Sequence, residues 1–191
     1  MNLLQGDALE LLEQLEEAPD LIVTDPPYSF GGDGDEHALS ATVAVVLRES
    51  AKRLSSGSWM VVMSAASWRS TYFMVESVRG ILTPVRIATW CKPTARTKAQ
   101  TAGWRWASVN VLLFRKGKSA FAASDTALDH ICAATVNNGR RAQVPEEVAD
   151  WMVRPFATEG GLMLDPFAGS GVLLAAAERH GMRAVGFEQN P

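Results

Sequence analysis

A short apolar run that ends in two prolines constrains this chain more than any other feature. The run Leu21–Thr24 is typical of a buried strand, and Asp25-Pro26-Pro27-Tyr28 follows it directly. Because proline continues neither a strand ladder nor a helix, the chain must form a rigid turn at the strand's carboxyl end. That edge of an open α/β sheet is where ligands bind. The turn's carboxylate, carbonyl and aromatic ring suit a planar, amino-bearing base, although an ordinary Pro-Pro turn with a solvated aspartate is an equal alternative.

Strands and helices alternate along the sequence. Apolar runs predict strands at residues 2–5, 21–24, 58–64, 85–90, 108–114, 162–164 and 183–187. Amphipathic patterns predict helices at residues 8–15, 39–54, 67–79, 145–153 and 172–180. Residues 125–141 are predicted to be weakly structured. Alternation of this kind indicates a doubly wound α/β fold with a mostly parallel sheet covered on both faces, and 191 residues fit one domain.

The composition excludes several classes of protein. No apolar run approaches the roughly 20 residues that span a bilayer, and residues 1–7 lack the basic and apolar parts of a signal peptide. Two cysteines, Cys91 and Cys132, fit a reducing cytosol better than a disulfide scaffold, so we expect a cytoplasmic protein. The histidines and cysteines show no ligand spacing, and no metal site is predicted.

Basic residues are concentrated in one segment although the net charge is −3. Residues 92–118 contain no acidic residue and seven basic ones, which are Lys92, Arg96, Lys98, Arg105, Arg115, Lys116 and Lys118. Charge segregated in this way predicts a patch that faces phosphates. A solvated loop with a basic hairpin is the alternative.

A second motif follows the predicted strand at 162–164 and leads directly into a helix. It reads Asp165-Pro166-Phe167-Ala168-Gly169-Ser170-Gly171. Glycines at these positions let the backbone approach a ligand closely. The next strand ends in Glu188, an acid placed to accept hydrogen bonds from ribose hydroxyls. The order predicts a nucleoside-containing cofactor, without the third glycine expected for a dinucleotide.

Together the two motifs resemble those of the amino-group DNA methyltransferases that use S-adenosylmethionine. Residues 25–28 resemble the catalytic motif of that family, and residues 165–171 its cofactor loop. Residues 188–191 resemble the acidic segment that follows, Gln143-Val144-Pro145 the element that leads into the loop, and Gly6-Asp7 the pair before the catalytic strand. The resemblance spans nearly the whole chain, and its catalytic-first order is similar to the beta arrangement of the family.

The resemblance implies a circularly permuted, Rossmann-like methyltransferase sheet that starts at the family's third strand and ends at its second. It divides the single domain, residues 1–191, into a catalytic half (1–90), a basic recognition loop (91–118) and a cofactor-binding segment (142–191). The chain stops at Pro191, where the family adds a helix over one sheet face. Either the chain was shortened or a partner or the N-terminal segment covers that face, and a homodimer is therefore possible.

The resemblance also implies roles for individual residues. It implies that the catalytic residues are Asp25, Pro26, Pro27 and Tyr28. The Asp25 carboxylate and Pro26 carbonyl would accept amine hydrogens, and Tyr28 would stack on a flipped base. The implied cofactor-binding residues come from three segments and are Asp7, Asp165, Phe167, Ala168, Gly169, Ser170, Gly171 and Glu188. Asp7 has an equally good alternative as a helix N-cap, and Asp165 and Ser170 have alternatives as loop-stabilising residues.

The expected substrate is double-stranded DNA, with Lys92, Arg96, Lys98, Trp104 and Arg105 as contact residues. Asp at the first position of the catalytic turn favours adenine N6 over cytosine N4 within that family. RNA bases and protein glutamine amides remain alternatives for the same turn. A different class, a catalytically inactive module that binds DNA or protein, is disfavoured because the motif residues with chemical roles are intact.

Overall fold

The computed structural model describes residues 1–27, 36–93, 107–118, 127–136 and 143–189, with the backbone alone for residues 36–40. The strands are β1 (Asn2–Gln5), β2 (Leu21–Thr24), β3 (Trp59–Ala65), β4 (Thr83–Cys91), β5 (Ser108–Arg115), β6 (His130–Cys132), β7 (Leu162–Asp165) and β8 (Arg183–Glu188). The helices are α1 (Ala8–Gln14), α2 (Glu36–Arg53), α3 (Trp68–Ser77), α4 (Glu146–Val153) and α5 (Val172–Arg179). A short 3-10 turn at Arg154–Phe156 follows α4.

All eight strands form one sheet in the order β1-β8-β7-β2-β3-β5-β4-β6. Neighbouring strands are parallel except where β5 pairs antiparallel with β3 and β4. The carboxyl ends of the other seven strands therefore share one edge of the sheet, called here the carboxyl edge. This arrangement confirms the predicted mostly parallel sheet. The pairing of β1 with β8 also confirms the permuted order, because the first and last described strands are neighbours.

Helices cover both faces of the sheet. Leu12 of α1, Leu47 of α2 and Met74 of α3 join a buried cluster on one face, and Val148 of α4 and Leu174 of α5 join the cluster on the other. Strand β2 is buried along its whole length and contributes alternate residues to the two clusters. A strand buried on both faces needs apolar residues throughout, which is why Leu21–Thr24 stands out in the sequence.

Close packing fixes α5 and its preceding loop against β8. A Cβ atom at Gly186 would lie 2.6 Å from Ala168 Cβ and 2.6 Å from Leu174 Cδ1. Because both contacts are far inside van der Waals distance, only glycine allows the loop and helix to approach the strand this closely. The loop is thereby held over the carboxyl end of β8.

The prediction that residues 125–141 are weakly structured was wrong for the short strand β6. Its three residues extend the sheet beside β4, with Thr89, Trp90 and Cys91 as register partners. The Trp90 indole also donates to the carbonyl of Ala133, at 2.9 Å. A three-residue edge strand has too short an apolar pattern to be recognised by periodicity. Among the described helices none has both the length and the apolar character of a membrane span.

Candidate active site

A cavity of about 390 Å³ opens at the carboxyl edge, where β1, β8, β7 and β2 end. Its walls include predicted site residues from three parts of the sequence, namely Asp7, Asp25, Pro27, Phe167, Gly169 and Glu188. Helix α2 adds Thr42, Val43 and Val46, and Phe187 lies at the end of β8. The fold thus brings the turn after β2 and the loop after β7 to a single cavity.

One buried hydrogen bond joins the two motifs directly. The Thr24 hydroxyl donates to Asp165 Oδ1 at 2.7 Å, and both residues are fully buried. The backbone N–H of Phe167 donates to the same oxygen at 3.1 Å. Because Thr24 immediately precedes Asp25, this bond fixes the start of the proline turn relative to the start of the glycine loop.

Asp165 is an unusual carboxyl group because it lies wholly inside the protein. Burial raises the pKa of Asp165 to about 7, although the Thr24 and Phe167 hydrogen bonds oppose that shift. The negative charges of Asp25 and Glu188 raise it further. Its second oxygen, Oδ2, has no hydrogen-bond partner among the described residues. The side chain therefore stands behind the cavity as a carboxyl group that is readily protonated near neutral pH.

The glycine loop adopts the conformation that its sequence predicts. Gly169 and Gly171 have φ values of +51° and +76°, in the left-handed region that favours glycine. Gly171 is also the N-cap of α5. The amide of Gly169 donates to Glu188 Oε2 at 2.9 Å, so the loop and the acid at the end of β8 hold each other at the mouth of the cavity.

The other loop residues have different surroundings. Pro26 and Ala168 are buried, and Ser170 is exposed. Pro26, Ala168, Ser170 and Gly171 support the loops and do not line the cavity as described.

Asp7 both caps helix α1 and forms part of the cavity wall. Its Oδ1 accepts the backbone N–H groups of Leu9 and Glu10 at 2.9 and 3.4 Å, which makes it the N-cap of α1. Its Oδ2 accepts a hydrogen bond from Gln189 Nε2 at 3.3 Å. The capping alternative of the sequence analysis is therefore correct, and the same side chain faces the cavity.

Lys92 approaches the catalytic turn rather than projecting into solvent. Its ammonium group lies 4.5 Å from the centre of the Trp90 ring and close enough to Asp25 for the two charges to interact. Partial burial lowers the pKa of Lys92, and the Asp25 carboxylate opposes that shift. This half-buried ammonium is thus a neighbour of the predicted catalytic acid.

The basic segment is not one continuous patch. Strand β5 runs away from the carboxyl edge, so Arg115, Lys116 and Lys118 lie at or beyond its far end. Lys116 Nζ donates to the carbonyls of Ala51, Lys52 and Leu54 at the C-terminal end of α2, at 3.1, 2.6 and 2.7 Å. A cation at this position satisfies helix-end carbonyls. The prediction of a phosphate-facing role for the whole segment is wrong for this lysine.

Several predicted site residues lie outside the described part of the chain. These are Tyr28, Arg96, Lys98, Trp104 and Arg105. Sequence analysis also missed some residues that the fold brings to the site, above all Thr24 and Thr42. Thr24 is the only polar residue in its strand, which is the one sequence signal that could have marked it.

Acidic and aromatic side chains share the cavity wall. Glu188, Asp7 and Asp25 supply carboxylate oxygens, and Phe167 and Phe187 supply apolar surface. Such a lining suits a ligand that carries both a nucleoside and a positive charge. Within the described residues no group of three or more His, Cys, Asp or Glu side chains is arranged to hold a metal ion.

Comparison with known proteins agrees with this geometry. The sequence model of a DNA methylase family matches residues 132–191. The Escherichia coli (strain K12) protein YubD, named as a methylase, is 27% identical over 97% of this chain and 83% of its own length. A solved structure from Thermus thermophilus, described as a DNA modification methylase, is 27% identical, with a TM-score of 0.77 over 100% of this chain and 89% of that one. The chain is thus similar over nearly its whole length to proteins named as methylases, and it shares the fold of a DNA modification methylase.

Fold similarity extends to a more distant solved structure. The cytosine-N4-specific PvuII DNA methyltransferase is 19% identical, with a TM-score of 0.75 over 99% of this chain and 82% of that chain. At this level of identity the likeness concerns the fold alone. The eight-stranded sheet described here therefore has the same fold as the sheets of these solved proteins.

The buried carboxyl group of Asp165 predicts a specific pH dependence of stability. The folded-state pKa of Asp165 lies above its unfolded value, so folding is favoured by its protonated form and this contribution is lost as pH rises towards about 7. Because asparagine does not ionise, the Asp165→Asn variant does not lose stability in this way as pH rises. We expect the free energies of unfolding of the variant and the wild type to be similar at about pH 4 and to differ by about 2–4 kcal/mol, in favour of the variant, at about pH 8.

Urea unfolding at both pH values measures this difference. Asp150→Asn, which changes a half-exposed carboxylate paired with Arg179, is the matched control and should show no comparable gain at the higher pH. A difference between Asp165→Asn and the wild type that does not change with pH would contradict the raised pKa.

Proposed function

We propose that this protein transfers a methyl group from S-adenosylmethionine to the exocyclic amine of a flipped base in double-stranded DNA, most specifically adenine N6. The proposal is supported above all by the presence of both Asp25 and Glu188 in the wall of one cavity. A cavity of about 390 Å³ lies within the size range of small-molecule sites. The chain therefore has a place for a nucleoside cofactor next to the turn that would receive the base.

The residues around the cavity fit S-adenosylmethionine. Glu188 would accept hydrogen bonds from the ribose hydroxyls, Asp7 would face the adenine amino group, and Phe167 would lie beside the cofactor. Asp165 does not line the cavity itself, and we assign it to holding the start of the cofactor loop through its bonds to Thr24 and Phe167. Gly169, Ser170 and Gly171 with Ala168 would give the loop its shape. When bound, S-adenosylmethionine supplies the methyl group.

The Asp25 turn would activate the amine that receives this methyl group. An exocyclic amine is a poor nucleophile because its lone pair is delocalised into the ring. The Asp25 carboxylate and the Pro26 carbonyl would each accept one amine hydrogen and favour a tetrahedral nitrogen. Pro27 would keep the turn rigid, and Tyr28 would stack on the flipped base. Most of the rate gain would come from positioning and charge stabilisation, with Asp25 as the acceptor for the proton that the amine loses.

Charge balance gives Lys92 a role in the same reaction. Asp25 and Glu188 both line the cavity, and their negative charges raise the pKa of the buried Asp165 carboxyl group. The Lys92 ammonium interacts electrostatically with Asp25. We assign it to keeping Asp25 negatively charged while water is excluded from the site, beside any contact with a nucleotide phosphate.

The choice of adenine and of DNA rests on the sequence. Asp at position 25 is the residue that favours adenine within the family, whereas cytosine N4 remains the second candidate because the fold is shared with a cytosine-N4 enzyme. Arg96, Lys98, Trp104 and Arg105 would add DNA contacts from the basic loop 91–118, between the catalytic half 1–90 and the cofactor segment 142–191. An RNA substrate and an inactive binding module are the other outcomes to test.

The proposed reaction predicts a loss of transfer in Asp25→Ala without loss of cofactor binding. Labelled methyl groups should appear on DNA from cells that lack DNA methyltransferases, and nucleoside analysis should find them on adenine N6. Loss of the hydrogen-bond acceptor should reduce transfer by about 100-fold or more. Calorimetry should give an S-adenosylmethionine affinity for Asp25→Ala within about threefold of the wild type, because Asp25 lies at the base end of the cavity.

Glu188→Ala is the reciprocal control, for which we expect weak cofactor binding as the primary defect. Label on cytosine N4 or on RNA would replace the adenine assignment. Cofactor binding with no transfer to DNA, RNA or protein would indicate the binding module, and equal transfer by Asp25→Ala would disprove the mechanism.

The position of Lys92 predicts a defect in turnover rather than in DNA binding alone. We expect Lys92→Met to lower kcat by about tenfold, and Lys92→Arg to recover part of that loss, because the positive charge beside Asp25 is restored. The affinity for the cationic cofactor should not fall. Steady-state kinetics at two salt concentrations separates this role from a phosphate contact, which would instead raise the KM for DNA and reduce its salt dependence.

We also propose that the chain forms a homodimer through the edge strand β1. Leu3 and Leu4 are each 42% exposed, and no described strand pairs with the outer side of β1. An edge with open backbone groups and apolar side chains favours association with another strand. Sedimentation velocity should show a dimer that Leu3→Lys converts to a monomer, whereas a monomeric wild type at micromolar concentration would contradict the proposal.

A further inference from the structure

Two large aromatic side chains near the start of α3 project into solvent. Trp68 is 89% exposed and Tyr72 is 62% exposed, and Trp68 has the highest exposure of the large apolar residues that the structure describes. Residues four apart lie on the same face of a helix, so the two rings form one surface. Because burial of a tryptophan side chain is strongly favourable, exposure of this kind marks a site of interaction.

The turn that carries Trp68 is held rigidly in place. Ser67 Oγ caps α3 by accepting the N–H of Ser70 at 3.2 Å, and the Ser70 hydroxyl bonds that of Ser64 at 2.7 Å inside the core. One residue further on, Asn110 Nδ2 of β5 donates to Thr71 Oγ1 at 3.2 Å. The first turn of α3 is therefore tied to β3 and β5, and Trp68 is directed outwards from a fixed base.

This surface lies at the same edge of the sheet as the proposed catalytic turn. Helix α3 begins three residues after the carboxyl end of β3, and β3 is the parallel neighbour of β2, which leads into Asp25. On the other side, the end of β3 pairs with the start of β5 at Val109 and Asn110, and β5 is the strand that follows β4 in the chain. Arg69 adds an exposed cationic residue next to Trp68. Aromatic and basic side chains therefore adjoin the site where a base would enter.

We propose that the Trp68–Tyr72 face of α3 is a DNA-binding surface on which Trp68 stacks against a base exposed next to the flipped nucleotide. This inference rests on the proposed function. Extrusion of one base leaves its partner and neighbours with uncovered faces, and aromatic side chains stack on such faces regardless of sequence. The position of the two rings at the carboxyl edge, beside the strand that leads into Asp25, favours DNA over a separate protein partner.

Substitution of Trp68 tests the proposal. Fluorescence anisotropy with a labelled duplex should show DNA binding weakened by about tenfold in Trp68→Ala, less in Trp68→Phe, and more in the double variant with Tyr72→Ala. The S-adenosylmethionine affinity and the melting temperature should stay at the wild-type values, because the ring makes little contact with the protein. Leu128→Ala is the matched control, since Leu128 is a 72% exposed apolar residue before β6, away from the carboxyl edge.

Three results would overturn the inference. Wild-type DNA affinity in Trp68→Ala would exclude a DNA contact, and an equal loss in Leu128→Ala would indicate a general surface effect. Loss of dimer formation with unchanged DNA affinity per chain would assign the face to self-association. If the wild-type protein methylates DNA and only the Trp68 prediction fails, the proposed function stands. If the wild type neither binds nor methylates DNA, the proposed function itself fails.

Discussion

The hydrogen bond from the Thr24 hydroxyl to Asp165 is the interaction on which the rest of the site depends. It joins the carboxyl ends of the neighbouring strands β2 and β7 inside the core, where an unpaired donor or acceptor would be costly. The proline turn begins one residue after Thr24, and the glycine loop begins at Asp165. One bond between residues 141 positions apart in the sequence thus sets the position of the proline turn relative to the glycine loop.

The Asp165 carboxyl group in this hydrogen bond is costly to bury at neutral pH. Burial raises the pKa of Asp165 to about 7, so the ionised form is disfavoured in the folded protein at neutral pH. An asparagine or an apolar residue would be easier to bury. The carboxyl group instead accepts two hydrogen bonds at one oxygen, from the Thr24 hydroxyl and the Phe167 amide, and so connects the turn after β2 to the loop after β7. The site therefore retains a residue that reduces stability at neutral pH but fixes the position of both loops.

The sequence predicts local elements well and long-range neighbours less well. Each predicted strand and helix in the described residues is present, because β2, β3 and β7 are buried on both faces and leave long apolar runs. The strand β6 was missed because three residues carry too little pattern. The position of Lys92 beside Asp25 and the capping of α2 by Lys116 could not be predicted, because both depend on the antiparallel direction of β5. Charge counted along the chain does not show which end of a strand each charge occupies.

In the proposed site, one cavity holds the cofactor next to the turn after β2. A crystal structure of the protein with S-adenosylmethionine would show this arrangement. Electron density for the ligand should extend through the cavity at the carboxyl edge, with the ribose hydroxyls within hydrogen-bond distance of Glu188 and the sulfonium end towards Asp25. Ligand density in another cavity, such as the apolar one between Trp59 and Trp151, would contradict it.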